Sequence, residues 1–91
     1  MLHIVKTVQS LTDVIRVAVE TDDVLLVEQA VYAANPHHQD FLSVKGLKVS
    51  VLQADVEARG IANRISPSIE KISFEGFVDL TAKQPKSITW E

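Results

Sequence analysis

Val24-Leu25-Leu26-Val27 is the stretch on which the fold turns. Four apolar residues stand in succession, with Thr21-Asp22-Asp23 before them and Glu28 after. A strand apolar at every position has both faces covered, as the central strands of parallel sheets do. Upstream, Leu2 to Lys6 suits a first strand. Between the two, Leu11, Val14, Ile15 and Ala18 fall at helical spacing and predict one buried stripe. Ser10 or Thr12 is placed to cap that helix, and Asp13 suits its positive end.

Downstream the alternation continues. Gln29 to Ala34 reads as a short helix that ends at Asn35-Pro36, because a residue before proline disfavours the α region. Phe41 to Lys45 holds one helical turn before Gly46. Leu47, Val49 and Val51 alternate with polar residues, which predicts a strand less fully covered than the one at Val24. Gln53 to Arg59 reads as a helix closed by Gly60, the residue that adopts a left-handed cap without steric cost. A strand over Ile69 to Phe74, a helix over Phe77 to Lys83 and a last strand over Ile88 to Trp90 complete the chain. Strand and helix in alternation predict an α/β fold: a three-layer α/β/α arrangement on a mostly parallel sheet of four or five strands, in a single domain over residues 1–91.

Composition narrows the chemistry. The 91 residues include no cysteine, which excludes disulfides, thiolate metal sites and persulfide or thioester catalysis on this chain. A domain this small buries only roughly 60–65% of its unfolded surface, so a partner subunit is one way to widen its stability margin. Nine basic against twelve acidic residues give a net charge of −3, a poor balance for direct binding of nucleic acid. The start of the chain lacks the pattern of a signal peptide and no apolar run reaches the ~20 residues of a membrane span, so the cytoplasm is the expected compartment.

Several stretches, in order, resemble the DsrH/TusB family of sulfur-relay subunits. They are Met1-Leu2-His3, the run from Val24 through Glu28 to Ala34, Asp55-Val56-Glu57-Ala58-Arg59-Gly60, and Phe77-Val78-Asp79-Leu80-Thr81 followed by Trp90. Relatives carry Asp-Gly where this chain has Gln29-Ala30, so the turn after the second strand is expected to differ. Some relatives also carry a cysteine in the first helix, where this chain reads Asp13-Val14-Ile15. The resemblance implies a non-catalytic subunit without cofactor. It would sit in a heterohexamer beside cysteine-bearing TusC/TusD-like homologues and support 2-thiolation of the tRNA wobble uridine. A related role in dissimilatory sulfur oxidation stays open.

The remaining candidates are weighed against plainer roles. His37-His38 could bind a metal, but neighbours on extended chain point apart, and a solvated loop is preferred. His3 reads as a hydrogen-bonded structural residue. Ser10 and Ser43 lack the setting of a nucleophile. Asp22-Asp23, with Glu20 and Glu28 near, reads as a solvated turn rather than a cation site. Arg59 and Trp90 are the interface candidates among polar and aromatic residues, while Phe77 is assigned to the core. Val17 and Val19 lie off the first helix's buried stripe and join them as interface candidates. Two rivals to the relay role are a homo-oligomeric module binding a small ligand at the strand C-terminal ends, and a non-thiol enzyme, for which no acid–base pair can be assembled.

Overall fold

A computed structural model describes residues 1–91. The strands are β1 (Leu2–Val5), β2 (Asp23–Leu26), β3 (Lys48–Leu52), β4 (Glu70–Ile72) and β5 (Ser87–Trp90). They form one five-stranded sheet in the order β4-β3-β2-β1-β5, and every neighbouring pair is parallel. The strand at Val24 is the central one, and β2 is buried along its whole length, as its unbroken apolar run predicts.

The helices are α1 (Leu11–Val17), α2 (Phe41–Val44), α3 (Gln53–Ala58) and α4 (Phe74–Lys83), with 3₁₀ turns at Glu28–Ala34 and Ala62–Arg64. The sheet separates two apolar clusters. On one face Val5, Val24, Leu26 and Val51 pack against Leu11 and Val14 of α1, Ala30 and Val31 of the 3₁₀ turn, Val44 of α2 and Val56 of α3. On the other, Leu2, Leu25, Val27 and Ile72 form a smaller cluster covered by Phe77 and Leu80 of α4. The register accounts for the division: Val5 pairs with Leu26 and Leu26 with Val51, so their side chains share one face. The imbalance follows from the connections. Each of the first three crossovers steps to a neighbouring strand, whereas α4 alone carries the chain back from β4 to β5. That single helix buries none of its residues completely.

Several local expectations shift. Ile15 is exposed rather than part of the α1 stripe, which Leu11 and Val14 carry. Ser10 makes no side-chain cap; its hydroxyl meets Thr7 Oγ1 at 2.8 Å instead. The segment before Asn35 is 3₁₀ rather than α-helical. Helix α4 begins three residues before Phe77, because Ser73 Oγ accepts the Gly76 N–H at 3.2 Å and caps it. Gly60 adopts φ 68°, the left-handed cap expected of it. The turn after β2 does depart from a glycine pattern: Glu28 takes the positive φ, 49°, and Ala30 does not.

Candidate functional site

In open parallel sheets a ligand site belongs outside the strand C-terminal ends, where neighbouring connections diverge. Here β1 lies between β2 and β5, so that divergence falls between β1 and β5. Lys6, just beyond β1, spans it. Its Nζ lies 2.8 Å from the Glu91 carboxylate and 3.3 Å from that of Glu28. The bonds that Lys6 donates to Glu91 and Glu28 raise its pKa above the ordinary lysine value, and Lys6 lowers that of Glu91 in turn. The left-handed Glu28 is held from below, since its N–H donates to Asp55 Oδ2 at 2.6 Å. Gln29 Oε1 accepts the Val8 N–H at 2.8 Å. A polar hollow of about 300 Å³ lies alongside, walled by Thr12, Gln29, His38 and Asp40 among others. Within it His38 Nδ1 accepts the Asp40 N–H at 3.1 Å, while His37 is exposed. The groups at these strand ends hold one another and the backbone.

A polar chain runs from Trp90, at these strand ends, through buried His3 to Asp22 at the other end of the sheet. His3, on β1, is 1% exposed. Trp90 donates its indole N–H to His3 Nδ1 at 3.1 Å, and His3 Nε2 lies 2.9 Å from Asp22 Oδ2. An indole N–H can only donate, so Nδ1 carries the lone pair and the proton sits on Nε2, facing the carboxylate. Asp22 also accepts from the Met1 ammonium at 2.9 Å and the Val19 N–H at 3.1 Å. These bonds, led by that from His3, hold the Asp22 carboxyl far below the usual carboxylate range. Asp23 is buried too. Burial pushes its pKa up, but bonds to Gln84 and Lys83 and the charges of Lys83 and Lys48 outweigh this and lower it. The acidic pair is therefore not a solvated turn, as its residue types suggested. His3 fills the structural role expected of it.

The interface candidates are distributed rather than gathered. Val17 and Val19 are 53% and 59% exposed. Trp90 is half-buried against the larger cluster, and Arg59 is half-buried at the end of α3. Phe77 packs on the smaller cluster. Sequence reasoning missed Phe74 and Val78, which are 69% and 49% exposed on α4. Ser73 as a cap, followed by Phe74, Phe77 and Val78 at helical spacing, is the signal that would have found them.

A family model described as "DsrH like protein" matches residues 6–87. The chain belongs to the DsrH family. Among relatives of this DsrH-family chain, Protein TusB of Escherichia coli (strain K12) is 35% identical over 95 residues, covering 99% of this chain and 100% of that one. Protein TusB of Cronobacter sakazakii is 39% identical over 71 residues, covering 76% and 75%. Of solved structures, the protein of unknown function MTH1491 from Methanobacterium thermoautotrophicum superposes with a TM-score of 0.71 at 13% identity, covering 97% of this chain and 95% of that one. Protein Tm0979 from Thermotoga maritima gives 0.63 at 24% identity, covering 94% and 97%. These two structures share the DsrH-family chain's fold.

Proposed function

We propose that this chain is a non-catalytic subunit of a cytoplasmic sulfur-relay complex that supports 2-thiolation of the tRNA wobble uridine. It acts as one unit over residues 1–91, within a heterohexamer of TusC/TusD-like homologues that bear the reactive cysteine. The observation that carries this is the full-length likeness to TusB proteins of a chain that has no cysteine. Without a thiol it cannot carry a persulfide, so its contribution is to complete the assembly and present a partner's cysteine.

The physical character of the surface supports the reading. The smaller apolar cluster lies under a single helix, and Phe74 and Val78 stand exposed on that helix. Val17 and Val19 add apolar surface after α1. Exposed apolar residues of this size mark association surfaces when they are contiguous. Arg59 and Trp90 would contribute the polar and aromatic contacts in which interfaces are enriched.

Deletion of the gene in its own host, with 2-thiouridine in bulk tRNA measured by mass spectrometry, tests the role. Loss of the modified nucleoside, restored by the intact chain, is the expected result. Undiminished thiolation after deletion would remove the basis for the proposal.

A further inference from the structure

The largest concavity of the molecule, about 530 Å³, is lined by no strand residue. One wall is Asn35-Pro36-His37, after the first 3₁₀ turn, and the other is Asn63-Arg64-Ile65, at the second. The walls are tied where the Ser66 N–H donates to the Ala34 carbonyl at 3.0 Å. Asn35 Oδ1 accepts the His37 N–H at 2.9 Å and shapes the first wall. The Arg64 N–H donates to the Ile61 carbonyl at 2.8 Å, and Ile65 packs on the larger apolar cluster, which anchors the second.

The wall of this cleft holds one guanidinium and no carboxylate. Of the four concavities, it alone has no carboxylate in its wall. That is notable in a protein with twelve acidic residues and a net charge of −3. The Arg64 guanidinium enters none of the ion pairs. The cleft thus combines one unpaired guanidinium with the amides of Asn35 and Asn63 and the ring of His37, while the Asn35 oxygen is already engaged. A wall rich in donors and free of anions suits an acceptor-only ligand, and guanidinium binds planar or tetrahedral oxyanions through paired N–H groups.

We propose that the Asn35–His37 and Asn63–Ile65 cleft binds a tetrahedral oxyanion of the phosphate or sulfate type, with Arg64 as its principal contact. The volume exceeds that of a bare ion and leaves room for a small organic group attached to it. The site is separate from the proposed relay role and stands or falls independently of it.

The test is a titration of the full chain with sodium phosphate and, separately, sodium sulfate, followed by ¹H–¹⁵N NMR with sodium chloride at matched ionic strength as the control. Saturable shifts at His37, Asn63 and Arg64 are expected, with a Kd on the order of millimolar. A response to one anion alone names the group recognised, and a response to both supports the shared chemistry. Arg64→Gln should weaken binding by about tenfold or more, and Arg64→Lys by less, since a lysine keeps the charge without the paired N–H groups. Asn63→Asp, which places a carboxylate in the wall, should abolish binding and serves if Arg64→Gln does not fold. Shifts reproduced by chloride, no response to either anion, or saturation unchanged in the folded variants would overturn the proposal.

Discussion

Trp90 donates its indole N–H to His3 Nδ1 at 3.1 Å, joining residues 87 positions apart in the chain. The contact fastens the edge strand β5 to β1 by a side-chain bond in addition to the backbone ladder between them. The two residues sit at opposite ends of the sequence, in stretches that both resemble the DsrH/TusB family. Their meeting gives that resemblance a physical content: His3 and Trp90 complete one buried polar chain.

Trp90→Phe keeps an aromatic ring but removes the donor, leaving His3 Nδ1 without a partner. An unsatisfied buried acceptor costs about 1–3 kcal/mol. Urea denaturation should show a loss of that size. His3→Leu alone should also destabilise the fold. Because the two residues share one bond, the double variant should lose less than the sum of the two. Strict additivity would mean that the bond contributes nothing to stability.

Asp22 makes stability dependent on pH. Its pKa is lowered in the folded state, first by the bond from His3, then by the Met1 ammonium and the Val19 N–H. An unfolded aspartate titrates at about 3.9. A group with a depressed folded pKa stabilises fully above its unfolded value, and that stabilisation is lost as pH falls through the folded one. Stability should therefore be level near neutrality with respect to Asp22 and decline below about pH 4. Asp22→Asn should cost about 2–3 kcal/mol at pH 7, on the scale of hydrogen bonds to a charged group, and flatten the acid decline. Chemical denaturation from pH 3 to pH 7 reads both effects.

Two left-handed residues give opposite expectations. Gly60, at φ 68°, has no atom within 4 Å of an added Cβ, so Gly60→Ala costs only the conformational strain, about 1–2 kcal/mol. Glu28, at φ 49°, already carries such strain and is held by Asp55. Glu28→Gly should be neutral or stabilising by up to ~1 kcal/mol, whereas Asp55→Ala should destabilise by about 1–3 kcal/mol. Thermal melts of the three variants distinguish strain from packing. A strong loss for Glu28→Gly would show that the Lys6–Glu28 pair matters more than the backbone.

The exposed apolar residues of α1 and α4 should matter for association rather than folding. Phe74→Asp, Val78→Asp and Val17→Asp should each leave monomer stability within about 0.5 kcal/mol, as surface substitutions do. Each should nevertheless reduce recovery with partner subunits in pull-down measurements. Equal recovery for all three would move the interface elsewhere on the surface.

What the sequence made legible was whatever depends on neighbours along the chain. Val24 to Val27 announced a central strand, and the alternation of elements announced a parallel sheet. Gly60 marked its own cap. What stayed hidden depends on contacts between distant segments. Asp22 and Asp23 have the residue types of a solvated turn, and only the fold places His3, Gln84 and Lys83 around them. The Ser10 cap is absent because Ser10 has helical rather than extended backbone angles, and its hydroxyl meets Thr7 instead. The start of α4 was legible in principle from Ser73, but a strand read over Ile69 to Phe74 covers that position. The family resemblance came from residue types in order, and the family match bears it out.

Co-expression of this chain with the cysteine-bearing homologues proposed as its partners, followed by affinity purification and native mass spectrometry, measures the central claim directly. A stoichiometric hetero-oligomer containing this chain is the predicted result, with the heterohexamer as its mass. Recovery of this chain alone, as a monomer or a homo-oligomer while the homologues assemble without it, would contradict the account.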